Sequence, residues 1–64
     1  MSDELYVVQV FDADNAAETL RTVEVIADDP WTAHVMGVRE AWHRWGWRRT
    51  GALWPPEKKV MVRA

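Results

Sequence analysis

Residues 28–47 read DDPWTAHVMGVREAWHRWGW, and the fold of the chain turns on them. Asp29 is placed to cap a helix, its carboxylate accepting from the amide of Trp31 or Thr32. Pro30 then falls at the first helical position, where its missing N–H costs nothing. Gly46 suits the left-handed residue that closes a helix. Between these signals, at the helical period, Trp31, Val35, Val38, Trp42 and Trp45 fall within about 40° of one line, with His34 and Ala41 at its edge. Thr32, Arg39, Glu40 and His43 point the other way. The spacing predicts one amphipathic helix over 30–45, with its indoles turned toward a core.

Upstream, residues 5–11 (LYVVQVF) are β-branched and aromatic and too short for a typical helix, so they read as a strand. Tyr6, Val8 and Val10 line one face and Leu5, Val7 and Phe11 the other, which suggests an interior strand apolar on both sides. Residues 12–19 form a polar connection, in which Asn15 and Glu18 have capping-box spacing for one helical turn. Residues 20–27 alternate more cleanly, with Val23, Val25 and Ala27 on one face and Thr22 and Glu24 on the other. The two strands are expected to pair antiparallel around a wide loop.

Downstream, Trp47 is expected to fold back on Trp42 at the helix end. Residues 47–54 read as a strand weakened by Gly51. Pro55-Pro56 forces a turn. Residues 58–63 read as a last strand, with Val60 and Val62 inward and Lys58, Lys59 and Arg63 suited to an exposed edge. The order is ββαββ: an α+β domain with one helix on one face of an antiparallel sheet of three to four strands.

Sixty-four residues make a single domain (1–64) near the lower size limit for a core that folds unaided. There is no cysteine, hence no disulfide frame and no thiolate metal site, and the five tryptophans are expected to supply much of the packing. No stretch approaches the ~18 apolar residues of a membrane span, and no signal peptide pattern is present. The expectation is a soluble, cytoplasmic protein without a membrane partner.

Charge is segregated along the chain. Residues 1–29 hold eight acids against the single base Arg21, a net of −7, whereas residues 30–64 hold seven bases against two acids, a net of +5. Such asymmetry speaks to partners rather than to fold. Antiparallel pairing should bring Asp3 and Glu4 beside Asp28 and Asp29, and gather Asp12, Asp14 and Glu18 at the far end of the hairpin.

Catalytic constellations are missing. Ser2 sits at the terminus. His34 and His43 project to opposite sides of the helix, so they cannot cooperate; His34 is read as a packed, hydrogen-bonded residue and His43 as solvated. Asp12, Asp14 and Glu18 suggest calcium, but the loop pattern requires an oxygen ligand at Ala16, glycine at Ala17 and glutamate at Val23. Neither a glycine-rich phosphate loop nor a pocketed carboxylate pair is evident. The chain is therefore expected not to be an enzyme and to carry no cofactor and no metal.

Two binding constellations remain. The acidic hairpin, with Asp3, Glu4, Asp12, Asp14, Glu18, Glu24, Asp28 and Asp29, could occupy a basic groove built for nucleic-acid phosphates. The basic, Trp-rich half could bind nucleic acid directly through Arg44, Arg48, Arg49, Lys58 and Lys59. The helical period turns the indoles inward and the net charge is −2, so the acidic reading is preferred. Met36, an apolar residue on the polar side of the helix, adds a hint of a contact patch.

In its size, lack of cysteine and order of strand Tyr6–Phe11, strand Thr22–Ala27 and helix Pro30–Trp45, the chain resembles the small phage-encoded anti-CRISPR proteins. The resemblance implies a stand-alone inhibitor in the bacterial cytoplasm that binds a subunit of a CRISPR effector, and some members of that group are acidic DNA mimics. It assigns no residue roles.

Overall fold

The computed structural model describes residues 3–59. Its elements are β1 (Glu4–Asp12), α1 (Ala16–Thr19), β2 (Arg21–Ala27), α2 (Pro30–Trp45), β3 (Thr50–Ala52) and β4 (Glu57–Lys59). β1 is the central strand, antiparallel to β2 along one edge, with Glu4 opposite Ala27 and Val8 opposite Val23. β3 and β4 share its other edge, β3 beside Val10–Asp12 and β4 beside Leu5–Val7. Between them the chain leaves the ladder at residues 53–56, around a cis Trp54–Pro55 bond. This is the α+β arrangement expected: one main helix and an antiparallel sheet. Val60, Val62 and Arg63, expected in the last strand, lie outside the described residues. The strand expected over 47–54 shortens to three residues, because 47–49 complete the turn out of α2.

Both helix stops behave as read. The Asp29 carboxylate accepts from the Thr32 amide at 2.8 Å and from the Thr32 hydroxyl at 3.1 Å. Gly46 is left-handed at φ 68°, and its N–H donates to the Trp42 carbonyl. The single helical turn in the β1–β2 connection is also present. It is tied to the strand by the Thr19 hydroxyl, which accepts from the Asp12 amide at 2.8 Å and donates to the Asn15 carbonyl at 2.7 Å.

The face that α2 buries is not the expected one. Its core residues are Ala33, Gly37 and Ala41, seated on Tyr6, Val8, Val10, Val23, Val25 and Ala27 of the sheet. Trp31, Val35 and Trp42 are exposed, Trp31 to 64% and Trp42 to 55%, so the expectation that they face the core fails. The reason is distance. A small-residue stripe lets the helix backbone settle onto the valine surface, and at that separation an indole has no room beneath it. Bulky apolar residues are displaced to the flanks, where Trp45 and Trp47 pack against the core margin while Trp31 and Trp42 face water. On the opposite sheet face Leu5, Val7 and Phe11 are half-buried, and Ile26 is exposed.

Candidate interaction surface

The antiparallel register decides where the acids go. Glu4 opposite Ala27 carries Asp3 alongside Asp28 at the start of α2. Asp3 hydrogen-bonds the Asp28 carboxyl, and this bond is the main cause that raises the Asp28 pKa above its ordinary value. The negative charge of Asp3 adds to it, with smaller contributions from desolvation and from Asp29. At the other end of the hairpin an Asp12 carboxylate oxygen accepts from the Asp14 amide at 3.0 Å, and Glu18 accepts from the Asn15 side chain at 3.3 Å. Glu24 lies apart from the other acids, halfway along β2. The eight candidate acids therefore form two terminal groups and one isolated member, not a continuous face.

The charge halves of the sequence also mix in space. Lys58 reaches Glu4 at 3.4 Å, Lys59 reaches Glu24 at 3.6 Å, and Arg49 reaches Asp14 at 3.5 Å. The two lysine pairs form because β4 lies beside β1, and the Arg49 pair because the β1–β3 register, with Asp12 opposite Thr50, sets Arg49 beside Ala13. All are solvated contacts worth roughly 0–1 kcal/mol each. Among the described residues, no ion pair holds Asp3, Asp28 or Asp29. Unpaired carboxylates thus stand at both ends of the hairpin, Asp3, Asp28 and Asp29 at one and Asp12 and Glu18 at the other.

Aromatic side chains mark both ends of α2. Near its start, Trp31 stacks on His34 with centroids 5.6 Å apart, and Trp54 meets the two rings edge-on at 6.2 and 5.5 Å. His34 is packed as read, but its buried Nδ1 has no hydrogen-bond partner, contrary to expectation. Near the helix end, Trp47 stacks on Trp45 at 4.9 Å rather than folding back on Trp42. The guanidinium of Arg21 lies over both rings, 5.1 Å from Trp45 and 5.6 Å from Trp47. Arg44 covers Trp45 at 5.4 Å while bonding Glu40 at 3.1 Å, the expected i,i+4 pair. His43 rests against Trp42.

Sequence reasoning missed two elements here. Arg21, the one base in the acidic half, belongs to the aromatic end through its place at the start of β2. The exposure of Trp31 and Trp42 had one available signal, the Ala33–Gly37–Ala41 spacing, which marks where a helix can approach a sheet most closely. Among the described residues, no three His, Asp or Glu side chains are grouped to hold a metal ion, and no helix is long and apolar enough to cross a membrane. Comparisons with family models, with curated proteins and with solved structures find no match.

Proposed function

We propose that this is a non-enzymatic interaction protein that blocks a basic, nucleic-acid-binding surface of a protein partner. Following the resemblance drawn from the sequence, the partner is a CRISPR effector subunit and the protein acts as a partial DNA mimic. The observation that carries the reading is the Asp3–Asp28 contact. The register sets Asp3 alongside Asp28, whose pKa is raised by hydrogen bonding with Asp3 and by its charge, and among the described residues no ion pair holds Asp3, Asp28 or Asp29. A cationic groove would relieve the repulsion between these charges on binding. The indole of Trp31, two residues beyond Asp29 and largely exposed, offers a partner arginine a ring to stack on next to the carboxylates. Electrostatic steering would speed association, and affinity would fall with salt.

The test is affinity capture from a bacterial lysate with the wild-type chain, the D3K/D28K variant and the D12K/D14K/E18K variant, followed by a DNA-competition assay on the captured protein. Capture of a nucleic-acid-binding protein by the wild type, loss of capture with D3K/D28K and release of its DNA support the proposal. Capture that survives both reversals ends it. Direct nucleic-acid binding through the basic half is less well supported. Of its five candidates, Arg44, Arg49, Lys58 and Lys59 are engaged in ion pairs. Absence of a gel shift at micromolar protein and low salt would exclude it.

A further inference from the structure

A groove of about 310 Å³ runs between α2 and β3, lined by Trp31, Val35, Val38 and Arg39 from the helix and by Thr50 and Gly51 from the strand. Trp54, packed edge-on against Trp31 and His34, adjoins the Trp31 end. Two features distinguish it from an incidental crevice.

The first is the strand edge at its floor. Leu53 donates its amide to Gln9 and Arg49 accepts from Ala13, so the backbone groups of the odd-numbered residues point at β1. Strand alternation then directs the N–H and C=O of Thr50 and Ala52 outward, away from the sheet. Among the described residues β3 is the last strand on this side over Val10–Asp12, and these groups have no ladder partner there. The edge also lacks the usual protection. Neither a charged side chain nor a proline lies within Thr50–Ala52, and the chain is small there (Thr, Gly, Ala).

The second feature is charge. Arg39 is the one permanently charged side chain among the described lining residues, which also include His34. Among the described residues no acid holds Arg39, in contrast to Arg44 and Arg49, which are paired with Glu40 and Asp14. An unpaired guanidinium above an apolar trough selects a carboxylate next to an apolar side chain.

We propose that the α2–β3 groove is a docking site for an extended peptide segment of a partner protein, one in which apolar and acidic residues adjoin. The segment adds as a strand to the outer edge of β3. Its backbone bonds Thr50 and Ala52, an apolar side chain enters between Val35 and Val38, and a carboxylate meets Arg39. A strand added at the ordinary spacing of about 4.8 Å from β3 lies beneath the exposed side of α2, where alternate side chains reach the trough. The site shares Trp31 with the acidic end but does not depend on the function proposed above.

The experiment is a titration of isotope-labelled full-length protein with short blocked peptides, followed by amide and indole NMR shifts. The probes are a peptide alternating glutamate with valine, its counterpart alternating lysine with valine, and the glutamate peptide N-methylated at alternate amides. Saturable shifts at Thr50, Gly51, Ala52 and the Trp31 indole with the first peptide, and their loss on N-methylation, are expected. Arg39→Glu, a surface change, should weaken the acidic peptide by about tenfold or more and reverse the preference toward the lysine peptide. No saturable shift at millimolar peptide, equal response to the N-methylated peptide, or shifts centred on another face would each overturn the proposal. So would the same amides shifting with protein concentration alone, which would assign the edge to a second copy.

Discussion

Gly37 on α2 and Val8 on β1 are packed so closely that a side chain on the glycine has no space. A Cβ built at Gly37 would lie 2.6 Å from Val8 Cγ1 and 2.7 Å from its Cβ. Val8 is completely buried at the centre of the sheet, so it cannot swing aside. Alanine at 37 would gain about 1 kcal/mol of helix propensity. Against this stands an overpacking cost of typically 1–3 kcal/mol, spread over helix and strand. Gly37→Ala is therefore expected to lower stability in urea unfolding despite being the better helix former. A stabilised variant would show that helix and sheet are not in contact at this point.

The same contact inverts the roles of large and small residues. Trp31→Ala and Trp42→Ala, which remove the largest side chains in the sequence, are expected to cost less than about 1 kcal/mol, as surface changes do. Val8→Ala removes only two methyl groups but should cost roughly 1.5–3 kcal/mol, because both leave a fully occupied interior. Chemical unfolding of the three variants ranks them directly. A Trp31 or Trp42 variant less stable than the Val8 variant would place the indoles in the core.

How far the fold could be read from residues depends on which feature carries the information. Caps, turn formers and strand alternation act locally. Asp29, Pro30 and Gly46 bound α2, and Val23, Val25 and Ala27 face inward, where a local pattern places them. Which face of α2 turns inward is a tertiary matter. An apolar stripe centred on Trp31, Val35 and Trp42 competes with a small-residue stripe through Ala33, Gly37 and Ala41, and close approach to a flat valine surface favours the second. The acidic sites were legible as far as the register carries them, since pairing Glu4 with Ala27 fixes the Asp3–Asp28 meeting. Their pairing with Lys58, Lys59 and Arg49 was not, because it depends on β3 and β4 both joining β1 rather than a separate ladder. The α2–β3 groove was equally hidden, being made by the outward displacement of the tryptophans.

The helix ends give a matched pair of expectations. Asp29→Ala removes both bonds to Thr32 and should cost about 0.5–2 kcal/mol, a typical N-cap loss. Gly46→Ala meets no atom within 4 Å, so its penalty is purely that of the left-handed backbone, about 1 kcal/mol. Gly46→Asn should recover part of that loss, because asparagine tolerates the conformation better. Thermal unfolding of the three variants separates the alternatives. Equal stability of the alanine and glycine proteins would mean that the turn after α2 adopts another geometry.

Asp28 provides a pH signature. Its pKa is raised, first by the hydrogen bond to Asp3, then by the charge of Asp3, with lesser effects of desolvation and Asp29. The folded chain thus binds this proton more tightly than the unfolded chain, and stability falls as pH rises through the window between the ordinary and the raised value. Above that window the repulsion is fully present; below the unfolded value it vanishes. Asp28→Asn removes the charge and keeps an amide able to donate to Asp3. The variant is therefore expected to melt above the wild type at neutral pH, with the gap closing as the pH is lowered through the Asp28 titration. Denaturation series at several pH values, with the wild-type carboxyl followed by NMR, test this. A stability difference independent of pH would mean that Asp3 and Asp28 do not meet.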